Sequence, residues 1–414
     1  VNKPDYDVVV VGGGAAGFFA AIEAATQGRQ LRIALLEKTG KLLQKVKVSG
    51  GGRCNVTHAC FSIADMVKRY PRGEGFLKKA FHQFFTTDTV AWFAQQGVVL
   101  HTEADGRMFP ASNSSQTIID CLMASTQRAG VHILLHHGVA HFSRQNNLWQ
   151  VHTAAGKTLT TRALCIASGG FAKVEQFDWI TKSTQHSISP PVPSLFTFNL
   201  PGHPISALMG VVAEHAEVKI AGFKTVTTGA VLITHWGLSG PAVLRLSAFA
   251  AHWLAQRQYA YTVIVNWVPP FNENSLRQYL IEQRQAHGSL KLANTNWFAL
   301  PQRLWQFLLA QSGIDADSRW AELPALQQNK LVKNLCGYEL AAQGKTTYKD
   351  EFVTAGGILL NEVDPNTMQS RLHPNLFFAG EILDVDGITG GYNFQNAWTT
   401  GFIAGKSAAL SCIN

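Results

Sequence analysis

Along the first forty positions the hydrophobic pattern changes period twice. Residues 7–11 (Asp-Val-Val-Val-Val) are an unbroken apolar run behind one acid, as expected of a strand buried on both faces of a parallel sheet. A glycine-rich turn at 12–17 leads into a helical stretch that reaches about Gln27 and is closed by Gly28. A second buried run, 31–36 (Leu-Arg-Ile-Ala-Leu-Leu), ends at Glu37. Strand, helix and strand of these lengths predict a βαβ unit. Further on, Phe76, Leu77, Ala80, Phe84, Val90 and Phe93 recur at helical spacing over 76–96. Thr87-Asp88 reads as an N-cap partway through, so two helices are predicted there, and a third over 115–129. Alternating segments at 131–135, 139–143, 149–153 and 159–161 predict a β-meander. Residues 163–167 are again a buried strand, running into Ser168-Gly169-Gly170.

The pattern shifts at 187–193, where three prolines punctuate the chain. From there to about Phe271 it is β-rich (195–200, 211–220, 228–233, 261–265), with one helix over 241–256. Residues 275–343 read as helical. The last block, 352–414, returns to strands and ends in a helix from about Phe394 to Leu410. The expected fold class is α/β with α+β inserts. A Rossmann-like nucleotide-binding domain (1–190 and 350–414) is interrupted by a β-rich domain (191–271 and 346–349) and a helical domain (272–345).

Composition narrows the class. Of the 414 residues 46% are hydrophobic and only 15% charged, which excludes a disordered tail protein. No uncharged apolar run reaches the ~18 residues of a membrane helix. The N-terminus does not read as a signal peptide, and the expected location is the cytoplasm. The six cysteines are scattered, with no CxxC pair and no metal-ligand cluster. The formal charge of +8 has two denser basic stretches, Lys38, Lys41, Lys45, Lys47 and Arg53, then Lys68, Arg69, Arg72, Lys78 and Lys79. Such a field attracts phosphate-bearing cofactors, and nucleic acid is not the expected partner.

The chemistry begins at Gly12-x-Gly14-x-x-Gly17. The motif follows a buried strand, opens a helix, and has Glu37 at the end of the next strand, twenty residues after Gly17. Gly12 allows the tight turn, Gly14 the approach of a pyrophosphate, and Gly17 close helix–strand packing. The helix N-terminus, with Ala15 and Ala16, offers N–H groups to the phosphates, and Glu37 would accept from the ribose hydroxyls. Two further signals favour FAD over NAD. One is the strand ending at Ser168-Gly169. The other is Asn375-Leu-Phe-Phe-Ala-Gly380-Glu381, whose acid would face the ribityl chain.

Three long motifs then identify a resemblance. They are 45–57 (Lys-Val-Lys-Val-Ser-Gly-Gly-Gly-Arg-Cys-Asn-Val-Thr), 234–244 (Thr-His-Trp-Gly-Leu-Ser-Gly-Pro-Ala-Val-Leu) and 380–395, which ends Thr-Gly-Gly-Tyr392-Asn393-Phe394-Gln395. Gly106-Arg107-Met108-Phe109-Pro110 is a shorter match. The chain resembles the bacterial FAD-binding family of NAD(P)/FAD-dependent oxidoreductases that includes aminoacetone oxidase and bile-acid 3-dehydro enone reductases. The resemblance implies three domains, namely a Rossmann-like FAD-binding domain of the glutathione reductase type, a β-barrel-like domain and a helical cap, and a non-covalent FAD. It departs at His58, where the family usually has Asn, and after Gly170, where a glycine-rich loop is missing, so a divergent subfamily is expected.

The expected cofactor contacts extend to Lys38, Lys45, Ser49, Gly50, Gly52, Arg53, Asn55, Val139, Gly391, Tyr392, Asn393, Phe394 and Gln395. Lys45 and Arg53 would set positive charge beside the flavin, and the last helix would aim its N-terminus at the ring. His235 and Tyr392 are candidate acids. Cys54, next to Arg53, reads as a structural thiol, with a low-pKa thiol in a redox or flavin-contact role as the alternative. There is no GxSxG, HExxH or Walker A sequence and no second GxGxxG, so NAD(P)H would bind only transiently. The expected activity is hydride transfer between flavin N5 and a small organic substrate, in the direction of reducing an activated double bond. The alternatives are an amine oxidase, a tRNA-binding flavoprotein and a non-catalytic flavin sensor.

Overall fold

The valine run is buried as its composition predicts. Strand Tyr6–Val11 lies between two parallel partners, Ile33–Leu36 and Thr158–Ile166, in registers such as Val10↔Leu35 and Val10↔Cys165. The computed structural model describes residues 3–315, 317–346 and 353–413. Among them, 3–193 with 353–413 form one unit and 194–346 a second. The domain boundaries expected near 346–350 fall largely outside the described residues.

In the first unit the sheet runs His132–Leu134, Ile33–Leu36, Tyr6–Val11, Thr158–Ile166, Leu148–Thr153, Val139–Gln145. Leu376–Phe378 adds in parallel beside the second half of Thr158–Ile166. The late block thus completes the sheet begun by the first residues. Two expectations change. The segment at 131–135 is no part of the meander; it pairs in parallel with Ile33–Leu36 and forms the edge of the nucleotide-binding sheet. The segments at 159–161 and 163–167 are one strand, because its first half pairs with the meander and its second half with Leu376–Phe378.

Helix Ala15–Gln27 packs against the last helix, Tyr392–Ile413. Gly401 meets Ala16 and Gly405 meets Ala20, so both helices run in the same direction. The last helix begins at Tyr392, two residues earlier than expected, with Gly390 and Gly391 at φ +126° and +93° turning the chain into it. Helices Glu74–Ala80 and Thr86–Gln95 are the predicted pair over 76–96. Asp88 is not the cap: it stands at the third position and accepts from the Phe85 N–H at 2.7 Å.

The second unit is a seven-stranded antiparallel sheet, in the order Tyr338–Gln343, Ala260–Asn266, Val212–Ile220, Val226–Ile233, Gly237–Ser239, Thr197–Asn199, Lys345–Thr346. Its two edge strands are consecutive in the chain and joined by Gly344, so the sheet closes into a barrel. The strand Tyr338–Gln343 corrects the helical reading of 275–343. Its Ala, Leu and Gln are helix formers, yet its burial alternates and it pairs with Ala260–Asn266. Helices Glu273–His287, Gln302–Gln311 and Ala325–Cys336 share one continuous core with the barrel, around Trp267, Trp305 and Trp320.

Candidate functional site

The turn at 12–17 is built by three different constraints. A Cβ on Gly12 would lie 2.3 Å from Ala167 O, and one on Gly17 1.9 Å from Gly12 O. Both glycines are forced by close backbone packing. A Cβ on Gly14 would meet nothing within 4 Å, so Gly14 faces open space at the mouth of helix Ala15–Gln27. No side chain caps that N-terminus and no acid stands in its first turn. The Glu37 carboxylate closes the other side: Oε2 accepts from Gly13 N at 3.0 Å and Oε1 from Thr39 N and Oγ1 at 2.9 Å. The adjoining turn brings His137 N to Glu37 O (2.8 Å) and places a Cβ on Gly138 3.1 Å from Lys38 Cβ, which sets Lys38 beside the start of strand Val139–Gln145.

A second opening lies along 44–55. The helix starting at Gln44 breaks at Ser49, whose hydroxyl donates to Val46 O at 2.9 Å. Gly50, Gly51 and Gly52 follow at φ +57°, +67° and +84°, and a Cβ on Gly51 or Gly52 would meet nothing within 4 Å. Gly50, by contrast, is pressed against Phe109. The loop is tied back by Cys54 N donating to Ser49 O (3.0 Å) and by the Asn55 amide, which donates to Thr57 O and accepts from Gly391 N at 3.0 Å each.

The charges here are paired. Lys45 Nζ meets Glu381 Oε2 at 2.5 Å, and Arg53 meets Glu103 at 2.6 Å with its guanidinium 4.0 Å over the Phe109 ring. Cys54 fits the structural reading and not the low-pKa alternative: it is fully buried, and burial pushes its thiol up to about 12. It is a packed thiol, not a thiolate.

The N-terminus of Tyr392–Ile413 closes the region. Gly387 N donates to Asn393 Oδ1 at 2.8 Å, and Asn393 Nδ2 returns a bond to Gly387 O at 3.0 Å. Gln395 is wholly buried and its amide is spent on Thr57 (2.6 Å), Thr89 (3.0 Å) and Thr399 (3.0 Å). Phe394 stacks on Trp398 at 5.6 Å. Tyr392 stacks on His58 with centroids 4.9 Å apart, a contact the motif reading missed. A Cβ on Gly106 would lie 2.4 Å from the His58 ring, so that glycine makes room for the imidazole. A buried Arg72–Asp386 ion pair, also missed, anchors the preceding loop. Gly380 N donates to Thr400 Oγ1 at 2.9 Å, fixing the turn that carries Glu381, and Glu381 Oε2 lies 4.0 Å from where a Gly169 Cβ would stand. Ser168 Oγ is buried with no hydrogen-bond partner among the described residues. His235 belongs to the second unit, in the tight turn between Val226–Ile233 and Gly237–Ser239, next to the exposed Trp236.

Because Gly401 lies level with Ala16, Tyr392 stands nine residues before that crossing while Ala15 stands one before it. At 1.5 Å per residue the two N-termini point the same way with a stagger of about 12 Å. Two positive helix ends, the open Gly14, the Glu37 carboxylate and the open Gly51-Gly52 wall suit an anionic dinucleotide with a planar ring.

This is the site of a flavoprotein built on the glutathione reductase plan. Residues 6–407 match the family described as HI0933-like protein Rossmann domain, and the chain belongs to that family of FAD-binding oxidoreductases. It is 31% identical to the ribosomal RNA dihydrouridine synthase of Escherichia coli (strain K12) over 97% of this chain and 99% of that protein. It is 27% identical to the 3-dehydro-bile acid delta(4,6)-reductase of Clostridium scindens over 97% of this chain and 98% of that protein. Among solved structures, the 3-ketosteroid-delta4-(5alpha)-dehydrogenase of Rhodococcus jostii RHA1 shares the fold, with a TM-score of 0.51 at 13% identity, covering 99% of this chain and 98% of that one. No helix among the described residues is long and apolar enough to cross a membrane.

Proposed function

We propose that the protein is an FAD-dependent reductase of a carbon–carbon double bond conjugated to a carbonyl, driven by NAD(P)H, and that the bond is the 5,6 bond of a uridine in ribosomal RNA. The observation that carries the redox reading is the pair of parallel helix N-termini, staggered by about 12 Å along their axes, beside an open glycine wall. It supports a cofactor with phosphates at one end and a ring that gains negative charge at the other. FAD, bound without a covalent link, would supply hydride chemistry to one carbon of the double bond, and the other carbon would need a proton.

In this reading the N–H groups at Gly14, Ala15 and Ala16 hold the phosphates, and Glu37 holds the ribose hydroxyls. Glu381, fixed by Lys45, orients the ribityl chain. Gly51 and Gly52 leave one face of the site open to a flat substrate. Tyr392 remains the candidate proton donor within the first unit.

The choice of RNA rests on the dihydrouridine synthase, which matches end to end at the higher identity. It replaces the smaller substrate expected from sequence, and its setting is the cytoplasm. The bile-acid reductase supports the same bond chemistry on a small cyclic enone, which is the second reading.

The test is anaerobic incubation of the yellow holoenzyme with NADPH and unmodified ribosomal RNA transcripts, then nucleoside mass spectrometry. The expected result is dihydrouridine at one position, two hydrogens heavier than uridine. Reduction of cyclic dienones with no dihydrouridine in any transcript overturns the RNA reading and leaves the reductase. Amine-driven reduction with fast reoxidation by O₂ overturns both.

A further inference from the structure

The charge of the chain is unevenly distributed. Residues 38–79 hold ten Lys or Arg against two acids, Asp65 and Glu74, which equals the whole excess of +8. Four of the ten are ion-paired, to Glu381, Glu103, Asp65 and Asp386. Arg69, Lys78 and Lys79 are exposed and form no ion pair among the described residues.

This segment is also the one that lines the site. It contains the open Gly51-Gly52 wall. It then runs through His58, whose ring stacks on Tyr392 at the N-terminus of the last helix. Three residues on stands Phe61, 59% exposed, the largest exposure of any Phe, Trp or Tyr among the exposed large hydrophobics. Burial, and to a smaller extent the charge of Arg69, disfavours protonation of the His58 imidazole. An exposed ring and unpaired cations thus follow directly from the cofactor wall.

We infer that this stretch is an RNA-docking strip: Arg69, Lys78, Lys79 and the exposed Lys68 take backbone phosphates, and Phe61 stacks on an unpaired base beside the one presented to the site. The inference rests on the RNA reading above. Stacking on an exposed aromatic flanked by cations is the general way single-stranded RNA is held, and phosphate contacts add a steep salt dependence.

The experiment uses the full-length holoenzyme and a fluorescein-labelled 20-nucleotide oligouridylate, with anisotropy titrations from low to moderate KCl. The charge variant is Lys68→Gln/Arg69→Gln/Lys78→Gln/Lys79→Gln. The stacking variant is Phe61→Ala. A control variant, Lys219→Gln/Lys224→Gln/Lys330→Gln/Lys333→Gln, removes the same charge from exposed positions of the second unit. Flavin absorbance and thermal midpoint verify folding, which exposed substitutions leave nearly unchanged.

The expected result is a slope of log Kd against log[KCl] that falls by about 2 to 3 in the charge variant, roughly 0.7 per lost phosphate contact, and stays unchanged in the control. Phe61→Ala should weaken binding by about 5- to 150-fold with the slope intact. Equal losses in the charge and control variants overturn the strip, since net charge alone then explains them. If the wild type makes dihydrouridine in ribosomal RNA and all variants bind as it does, the strip is wrong and the RNA reading stands. If the wild type neither binds the oligonucleotide nor makes dihydrouridine, both fall.

Discussion

Gly14 and Gly17 share one motif and do different work. A Cβ at Gly17 would collide with Gly12 O, whereas one at Gly14 would enter empty space. Gly17→Ala should therefore destabilise the apoprotein by about 3 kcal/mol through overpacking against backbone. Gly14→Ala should leave apoprotein unfolding in urea within ~0.5 kcal/mol of wild type, as exposed positions do. It should weaken FAD binding on the order of 10- to 100-fold, the loss of a hydrogen bond to a charged acceptor. Urea unfolding of the apoprotein and fluorescence titration with FAD separate the two effects; equal behaviour of the variants would refute the cradle. The close packing at Gly12 and Gly17 was legible in the sequence because the motif's spacing encodes local geometry. The partners of Lys45, Arg53 and Cys54 were not. Arg53 neighbours Cys54 in the chain, yet its guanidinium turns to Glu103, fifty residues on, and the thiol is buried. Chain adjacency says nothing about which way a long side chain turns.

The decisive pair of elements is the first helix and the last. Their crossing is close because Gly401 and Gly405 sit on Ala16 and Ala20, and a Cβ on Gly405 would lie 2.2 Å from Ala20 O. Gly405→Ala should cost about 1–3 kcal/mol, read as a lower urea midpoint with an unchanged slope. A wild-type midpoint would mean that the two helices are not locked at this crossing. The long-period elements were readable: the βαβ unit, the helix at Pro241–Gln256 and the late return strand all follow from runs of apolar residues. The failures were short and depended on partners. Residues 132–134 alternate like a hairpin strand, and only the neighbouring Ile33–Leu36 makes them part of the parallel sheet. Tyr338–Gln343 carries helix-forming residues, and only closure of the barrel through Gly344 makes it a strand.

At the scale of the whole molecule the first unit is discontinuous, and its two stretches of chain must find each other across 194–346. One tie is His186, buried at 3% exposure. Its Nδ1 bonds Thr184 Oγ1 at 2.8 Å and its Nε2 meets Ser370 Oγ at 2.9 Å, while Ser187 N donates to Glu362 at 2.9 Å and His373 Nε2 meets Thr184 O at 2.8 Å. Burial holds the His186 imidazole down to about 4, against a smaller opposing pull from Glu362 and a further depression by His373. In the unfolded chain it titrates near its ordinary ~6.5. Between those values the unfolded chain binds a proton that the folded one refuses, so stability rises with pH across the window and is lost as pH falls from about 6.5 towards 4. Screening and relaxation reduce the full shift to on the order of 2 kcal/mol. His186→Gln keeps a hydrogen-bonding side chain and removes the titration. Urea unfolding at pH 7.5 and 5 should show a wild-type loss larger than that of His186→Gln by about 1–2 kcal/mol. Equal losses would mean that the junction carries no proton-linked stability.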